Sequence, residues 1–587
     1  MEDRLADFTR DYRILTLSLI AVIVGVISSF VAKALVWLIA VITNAAFYQK
    51  YSAAFISPTG NHLGLLVIIV PMVGGLVIGV LARYGSEKIR GHGIPEALEA
   101  ILVGRSRMEP RVAILKPLSS AIAIGTGGPF GAEGPIIMTG GAFGSLFAQF
   151  FHLSPAERKT LLVAGAAAGM SAIFATPIAA VLLAVELLLF EWKPRSFIPV
   201  AVASAVAAAL RVKLLGPGPI FPVPLHAAMS GEGLLIAAIL GLVAGVASGG
   251  LTALVYGFED LFLKFPFHWM WWPVIGGLFV GVGGWIDPRV LGVGYDNIQA
   301  LLLGKIVGIA LVSLFFIKAF VWAIALGSGT SGGVLAPLLM MGGAMGALAA
   351  RWIPLGDAGL WATLGMAAIM GGTMRSPLTS IIFTVELTHD YNILPGLLVA
   401  CVAAHTVTVL LLRRSILTEK VARRGLHVTR EYSIDPLALQ RVSDVMFQDY
   451  ATIPATMKVT ELSDRIARND VELIRHQGIL IVDDQKRLAG IITRGDVVRA
   501  LQLGTNGDLT VLEAGKRELI VCYPDDVLHE AAAKMLRNNI GRLPVVDRQN
   551  PTKIMGYLGR ACFMTARLKV LQEEQQREPG WLAGFSS

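Results

Sequence analysis

Gly127-Gly128-Pro129-Phe130-Gly131-Ala132-Glu133-Gly134-Pro135 decides how this chain is read. The stretch lies between two apolar segments, Ile114–Ile124 and Ile136–Phe151. Most of it is glycine or proline, so it cannot be ordinary helix interior. Pro135 suits the first position of a helix, where its missing N–H is no loss. The amides just before it then have no intrahelical partner and sit at the positive end of a helix dipole. Glycines let an ion approach that backbone closely. Glu133 is thus a carboxylate placed where an anion would bind. A side chain that imitates the ligand competes with it, and protonation removes the competition. The alternative is a helix N-terminus capped by its own acid.

The 587 residues exceed one ordinary domain, and 54% of them are hydrophobic. A mean hydropathy of +0.65 is membrane composition. The net charge of +8 is spread over loops and tail, so no nucleic-acid surface is expected. Cys401, Cys522 and Cys562 stand far apart and match neither a disulfide framework nor a zinc site. The N-terminal MEDRLADFTRDYR carries several acids and lacks a signal-peptide layout. The first apolar run is therefore expected to be a retained membrane segment.

That run, Ile14–Ile42, is nearly continuous apolar sequence, broken by one charge, Lys33. As a helix it would be about 43 Å long at 1.5 Å per residue, more than a hydrocarbon core of roughly 30 Å, so it should tilt. Ten further apolar runs follow between Leu63 and Leu412, several too short to cross and many interrupted by glycine. Broken helices at membrane depth occur where they line a protein-enclosed path. An internal repeat supports this reading. Gly165, Ala167, Ala168, Met170, Pro177, Val185, Glu186 and Leu187 recur 200 residues later (377 − 177 = 200). Pro135, Gly140, Gly141 and Gly144 recur 202 residues later (337 − 135 = 202). Two related halves with Gly-rich half-helices are a transporter layout, with the ion site between repeats. The predicted fold is an all-α multi-pass membrane domain with an internal, inverted repeat.

Three punctuated motifs stand together in this frame: Gly91-His92-Gly93-Ile94-Pro95-Glu96, Gly131-Ala132-Glu133-Gly134-Pro135 and Gly332-Gly333-Val334-Leu335-Ala336-Pro337. Each reads as a loop feeding a helix N-terminus. In this order, inside a duplicated membrane domain, they resemble the signature regions of the CLC chloride channel and transporter family. The resemblance covers about Asp11 to Gly425, and Lys116 and Glu186 fall where that family has such residues. It implies a homodimer with one anion pathway per subunit. It makes Glu133 the gating glutamate and gives the central anion to the amides of Val334 and Leu335. The expected anion-binding set is His92, Gly93, Gly131, Glu133, Gly134, Val334, Leu335 and Leu417.

Several positions depart from the family pattern. His92 stands where the family has an anion-binding serine. Leu417 falls at the position of its anion-binding tyrosine, and Leu187 at that of the inner proton-accepting glutamate. Ala132 replaces the usual basic residue before the gate. The resemblance therefore implies a kept backbone site with altered side-chain donors, channel-like or weakly coupled to protons. The alternatives are a proton-coupled exchanger and a transporter of another anion. A cation transporter would need converging carboxylates rather than helix N-termini. Glu186 and Glu386 recur in both halves and are expected to cap or pair at helix ends. Lys116 and Lys318 would be costly in lipid and should face protein, attracting anions or forming ion pairs. His92 is either a donor to the anion or a helix-cap histidine outside the path.

After Arg423-Arg424-Gly425 the composition becomes soluble, and the basic residues there place the C-terminus in the cytoplasm. Residues 441–502 and 510–570 are two similar blocks, with a polar tail from 571. The first reads as helix near Glu461–Asp470 and strand Gly478–Asp483, the second as helix Asp526–Asn538 and strand Leu543–Asp547. They resemble a tandem pair of CBS domains, α/β modules that often bind adenine nucleotides. The family's nucleotide-binding positions fall on Gly490, Thr493 and Asp496, whereas the second block has Gly559 and Cys562 there. The pair is either a nucleotide sensor or a structural dimerising module. No residue group indicates covalent catalysis or a metal. The expected function is transmembrane transport of chloride or a similar anion, from the cell membrane, with no required cofactor.

Overall fold

The computed structural model describes residues 12–102, 104, 106–425, 437, 440–470, 473, 478–502 and 509–575. The acidic stretch 1–11 and the polar tail beyond Gln575 lie outside the described residues. The chain divides into two compact units at Ser433–Ile434.

The first unit is helical. Its first half comprises α1 Arg13–Tyr48, α2 Ile69–Tyr84, α3 Ile94–Leu102, α4 Pro110–Gly125, α5 Glu133–Ala148, α6 Pro155–Phe174, α7 Pro177–Leu183 and α8 Pro194–Leu214. The second comprises α9 Gly231–Leu263, α10 Trp272–Ile286, α11 Tyr295–Leu302, α12 Ile309–Gly327, α13 Leu335–Ala349, α14 Ala358–Met374, α15 Pro377–Thr388, α16 Leu394–Leu411 and α17 Ile416–Arg423. Eight helices among the described residues are long and apolar enough to cross a membrane. The first, α1, runs six residues past the apolar run, from Ile42 to Tyr48 (48 − 42 = 6). It can do so because Thr43 and Asn44 bond back to the Ile39 and Ala40 carbonyls at 2.9 and 3.0 Å, satisfying their own polar groups.

The repeat is visible as matched packing. α5 lies on α6, and α13 on α14. At each crossing two glycines bring backbones together: a Cβ on Gly165 would fall 2.1 Å from the Gly140 carbonyl, and one on Gly365 2.4 Å from that of Gly342. α6 and α14 both end in a left-handed residue, Ala175 and Arg375, before Pro177 and Pro377 open the next helix. Between Val185 and Phe190 the first half gains one residue, as a π-turn, Ala184–Leu189. Phe190 N–H therefore reaches back five residues to Val185 O at 3.1 Å, where His389 N–H reaches back four to Val385 O at 2.7 Å. Glu186 lies in that π-turn, so its spacing to Leu187 and beyond is not that of an α-helix.

The reciprocal contacts between halves define a two-fold relation, the geometry an inverted repeat requires. The Glu186 carboxylate accepts from the Leu378 and Thr379 amides at 3.3 and 2.8 Å, at the start of α15. Glu386 accepts from Ile178 and Ala179 at 3.0 and 2.8 Å, at the start of α7. Each acid caps the other half's helix and occupies its free amides.

The second unit holds two small sheets. In the first, β2 Gly478–Val482 pairs in parallel with β1 Thr452–Pro454 and antiparallel with β3 Leu488–Thr493, beside helix Val459–Ala467. In the second, β4 Arg542–Val546 pairs antiparallel with β5 Ile554–Gly559, beside helix Leu528–Arg537. Each block has its own apolar core, one around Leu462, Ile481 and Ile492, the other around Leu528, Leu543 and Leu558.

Candidate functional site

The three glycine-rich loops meet. Gly131 and Gly333 form an antiparallel bridge, with N–H···O distances of 3.3 and 2.9 Å in the two directions. A Cβ on Gly134 would fall 1.9 Å from the His92 carbonyl oxygen and 3.1 Å from the Gly333 Cα. A Cβ on Gly93, whose φ is +93°, would fall 2.3 Å from the Gly134 carbonyl. Only glycine permits this approach of three backbones.

Glu133 opens α5, with Ala132 as N-cap, and Pro135 is the third helical residue rather than the first. Pro337 holds the same third place in α13. The shift is harmless because the first four amides of a helix have no intrahelical partner in any case. The Glu133 side chain is fully buried. It does not cap its own helix alone: the Leu335 N–H, at the start of α13, donates to Glu133 Oε1. Oε2 has no hydrogen-bond partner among the described residues. The carboxylate therefore occupies the helix terminus that the family resemblance gives to the anion. Val334 is the N-cap of α13, and Val334 and Leu335 are both fully buried.

His92 is buried, and its Nδ1 has no hydrogen-bond partner among the described residues. Glu96, four residues on in the same motif (96 − 92 = 4), organises this loop. Its Oε2 accepts from Gly93 N–H at 2.7 Å, and its Oε1 faces Lys420 at 3.2 Å and Arg424 at 3.7 Å. Those cations bring α17 against α3. Leu417 is fully buried in the first turn of α17, and the carbonyl of Ile416 accepts from the Tyr256 hydroxyl at 2.5 Å. Beside the cluster lies a cavity of about 540 Å³ lined by Lys88, Arg90, Glu99, Lys420 and Arg424, among others. Sequence reasoning missed Glu96, Lys420 and Tyr256, whose partners are remote in the chain.

Both buried lysines are tied to backbone. Lys116 Nζ donates to Ile89 O at 2.8 Å and Gly91 O at 2.7 Å. Lys318 Nζ donates to Val290 O at 2.8 Å and Gly292 O at 3.0 Å. In place of ion pairs, one of the two roles expected for them, both lysines make carbonyl cages, which pin the loops ahead of α3 and α11. Leu187, next to the helix-capping Glu186, is fully buried.

A family model described as voltage gated chloride channel matches residues 74–409, more than half of the chain. This chain belongs to that family, the CLC proteins. A second model, the CBS domain, matches residues 442–503 and 512–568. The voltage-gated ClC-type chloride channel ClcB of Escherichia coli O17:K52:H18 is 29% identical over 426 residues, covering 69% of this chain and 99% of that protein. Chloride channel protein CLC-f of Arabidopsis thaliana is 28% identical over 566 residues, covering 82% and 70%. A slow cyanobacterial Cl−/H+ antiporter has the same fold, with a TM-score of 0.63, 22% identity, and coverage of 71% of this chain and 99% of its own. The protein is thus a multi-pass membrane anion-transport protein of the CLC family carrying tandem CBS domains.

In the first CBS domain Gly490 lies in β3, Thr493 ends it and Asp496 enters the following helix, Arg494–Gln502. Asp496 Oδ2 accepts from the Thr493 N–H at 2.8 Å and from its hydroxyl at 2.6 Å, and Arg499 pairs with Oδ1. Burial pushes this carboxyl up, but the Thr493 and Arg499 contacts outweigh it and hold the group below the usual carboxylate range. The second domain repeats the geometry with a softer atom: Gly559 N–H points at Cys562 Sγ at 3.4 Å.

Proposed function

We propose that this CLC protein conducts chloride or a similar small anion as a homodimer, through a pathway in each subunit that Glu133 opens and closes. Transport is channel-like or only loosely coupled to protons. One observation carries the reading: the Glu133 carboxylate sits on the Leu335 amide at the end of α13. An anion drawn to the same amide has to displace it, and a protonated side chain gives way because the dipole and amide favour the charged form. Loose coupling is supported by the residues around the π-turn. Leu187 is buried and cannot bind a proton, while Glu186 is engaged at the start of α15. Arg413, Arg414, Arg423 and Arg424 beside the last apolar helix support a cytoplasmic C-terminal side. There the first CBS domain takes an adenine nucleotide through Gly490, Thr493 and Asp496.

Purified protein in liposomes tests the gate. Glu133→Gln should keep anion flux and lose its pH dependence. Flux from that variant with the wild-type pH profile refutes the role.

A further inference from the structure

Tyr295 opens α11 and stands in the second half where Ile94 stands in the first: Gly292-Val293-Gly294-Tyr295 follows Gly91-His92-Gly93-Ile94 at an offset of 201 (295 − 94 = 201). The ring is enclosed by three phenylalanines from separate segments, with centroids 6.1 Å from Phe55, 6.3 Å from Phe174 and 5.8 Å from Phe221. Inside this apolar collar the hydroxyl oxygen is buried and has no hydrogen-bond partner among the described residues. A phenylalanine would fill the same space without stranding a donor, and buried tyrosine hydroxyls ordinarily find a partner.

Two charged groups lie within electrostatic reach of that hydroxyl, Glu133 from α5 and Arg211 from α8. Arg211 is already engaged, donating to the Gly216 carbonyl. Glu133 is engaged through one oxygen only: Oε1 takes the Leu335 N–H, while Oε2 has no partner among the described residues. The backbone before Tyr295 rests on α13, the helix whose first amide holds Glu133: a Cβ on Gly294 would fall 2.1 Å from the Met340 methyl. Met340 lies five residues beyond Leu335 (340 − 335 = 5), about 7.5 Å along α13. An unpaired donor and an unpaired acceptor thus lie within electrostatic reach of each other beside the first turns of α13.

We propose that the Tyr295 hydroxyl receives the Glu133 carboxylate when it leaves the Leu335 amide, and so holds the displaced gate. This rests on the gating role of Glu133. Tyr295 is a positioning residue that acts through that side chain.

The test is a double-mutant cycle on anion flux from proteoliposomes containing the full-length protein. Tyr295→Phe keeps the ring and removes the donor. In the otherwise native protein it should cut neutral-pH flux on the order of tenfold, the worth of a charge-assisted hydrogen bond. In a Glu133→Ala background it should change nothing, which also shows that the variant folds. Unchanged flux in the native background overturns the assignment. So does an equal loss in both backgrounds, which places the hydroxyl on the anion or on the fold itself. Glu133→Ala alone separates the two readings. If that variant is as pH-dependent as the native protein, the gate fails and the docking fails with it. If it frees flux from pH while Tyr295→Phe is silent, the docking alone fails.

Discussion

Replacing Gly131 by alanine should evict the gate from its closed position. A Cβ built there would stand 1.8 Å from Glu133 Oε2, 2.5 Å from Cδ and 2.6 Å from Oε1, and these are its three nearest neighbours. Ordinary contact begins at 3.4 Å, so the carboxylate has to retreat by roughly 1.6 Å (3.4 − 1.8). That retreat is of Oε2; Oε1, the atom that accepts from the Leu335 N–H, has to move about 0.8 Å (3.4 − 2.6), which pulls the bond off its favoured geometry. The backbone does not resist the change, because Gly131 is not among the residues with positive φ. The bridge to Gly333 uses main-chain atoms only and can persist. A hydrogen bond to a charged group is worth about 1.5–3 kcal/mol, so occupancy of the closed position should fall about 10- to 150-fold. The assay is anion efflux from proteoliposomes at alkaline and acid pH, run beside Glu133→Ala. Gly131→Ala should raise alkaline flux towards the acid level, and adding it to Glu133→Ala should do nothing more. Alkaline flux as low as in the native protein would refute the argument, since a carboxylate cannot gate from a place it has been forced to leave.

Other outcomes follow from the same contacts. Glu186→Gln and Glu386→Gln each weaken a helix cap in the opposite half and should lower thermal stability by similar amounts, about 1 kcal/mol each; a selective loss of proton movement in Glu186→Gln would instead make it a relay. An anion gradient imposed on proteoliposomes should drive anion flux without stoichiometric uphill proton movement, and a fixed proton-to-anion ratio across several gradients would make the protein an exchanger. Asp496→Ala should weaken adenine-nucleotide binding to the full-length protein, read by calorimetry, and cost about 1 kcal/mol by removing the cap on helix Arg494–Gln502. The Asp496 carboxyl is held below its usual range, so its stabilisation is present above that range and disappears as pH falls through the lowered value. Asp496→Asn should therefore flatten the acid limb of that unit's unfolding profile.

Glycine and proline made the plan of the membrane unit legible. The repeat at 200 and 202 residues survives because those residues mark backbone approaches that nothing larger can replace, as at Gly140–Gly165 and Gly342–Gly365. The capping role of Glu186 and Glu386 could be read because an acid recurring at one place in both halves fits a shared structural task. Other features could not be read locally. The Gly131–Gly333 bridge spans 202 residues (333 − 131 = 202), and no local pattern encodes it. The carbonyl cages of Lys116 and Lys318 are invisible because main chain leaves no mark in a sequence. Tyr295 was within reach of the repeat, but its neighbouring motif lacks the proline that punctuates the other three. The end of α1 was missed for a simpler reason: hydropathy counts Thr43 and Asn44 as polar, whereas in the helix they bond to their own backbone.

The repeat also explains why the site carries a single acid. At an offset of 202, Gly131 corresponds to Gly333, Pro135 to Pro337 and Glu133 to Leu335 (335 − 133 = 202). The gate therefore bonds to the amide of its own counterpart, and the site lies where the two-fold relation brings equivalent residues together. Symmetry brings two helix N-termini together at the Gly131–Gly333 bridge, an arrangement that suits an anion. It would equally supply two carboxylates if both positions were acidic. Two such groups on one small site cannot both ionise, and one would be held neutral by the other. Such a pair would answer to its own internal proton rather than to an arriving anion. Leu335 breaks the symmetry in side chain and keeps it in backbone. Under the proposed gating, the second half contributes the amide that anion and Glu133 share in turn, and the first contributes the charge that competes for it.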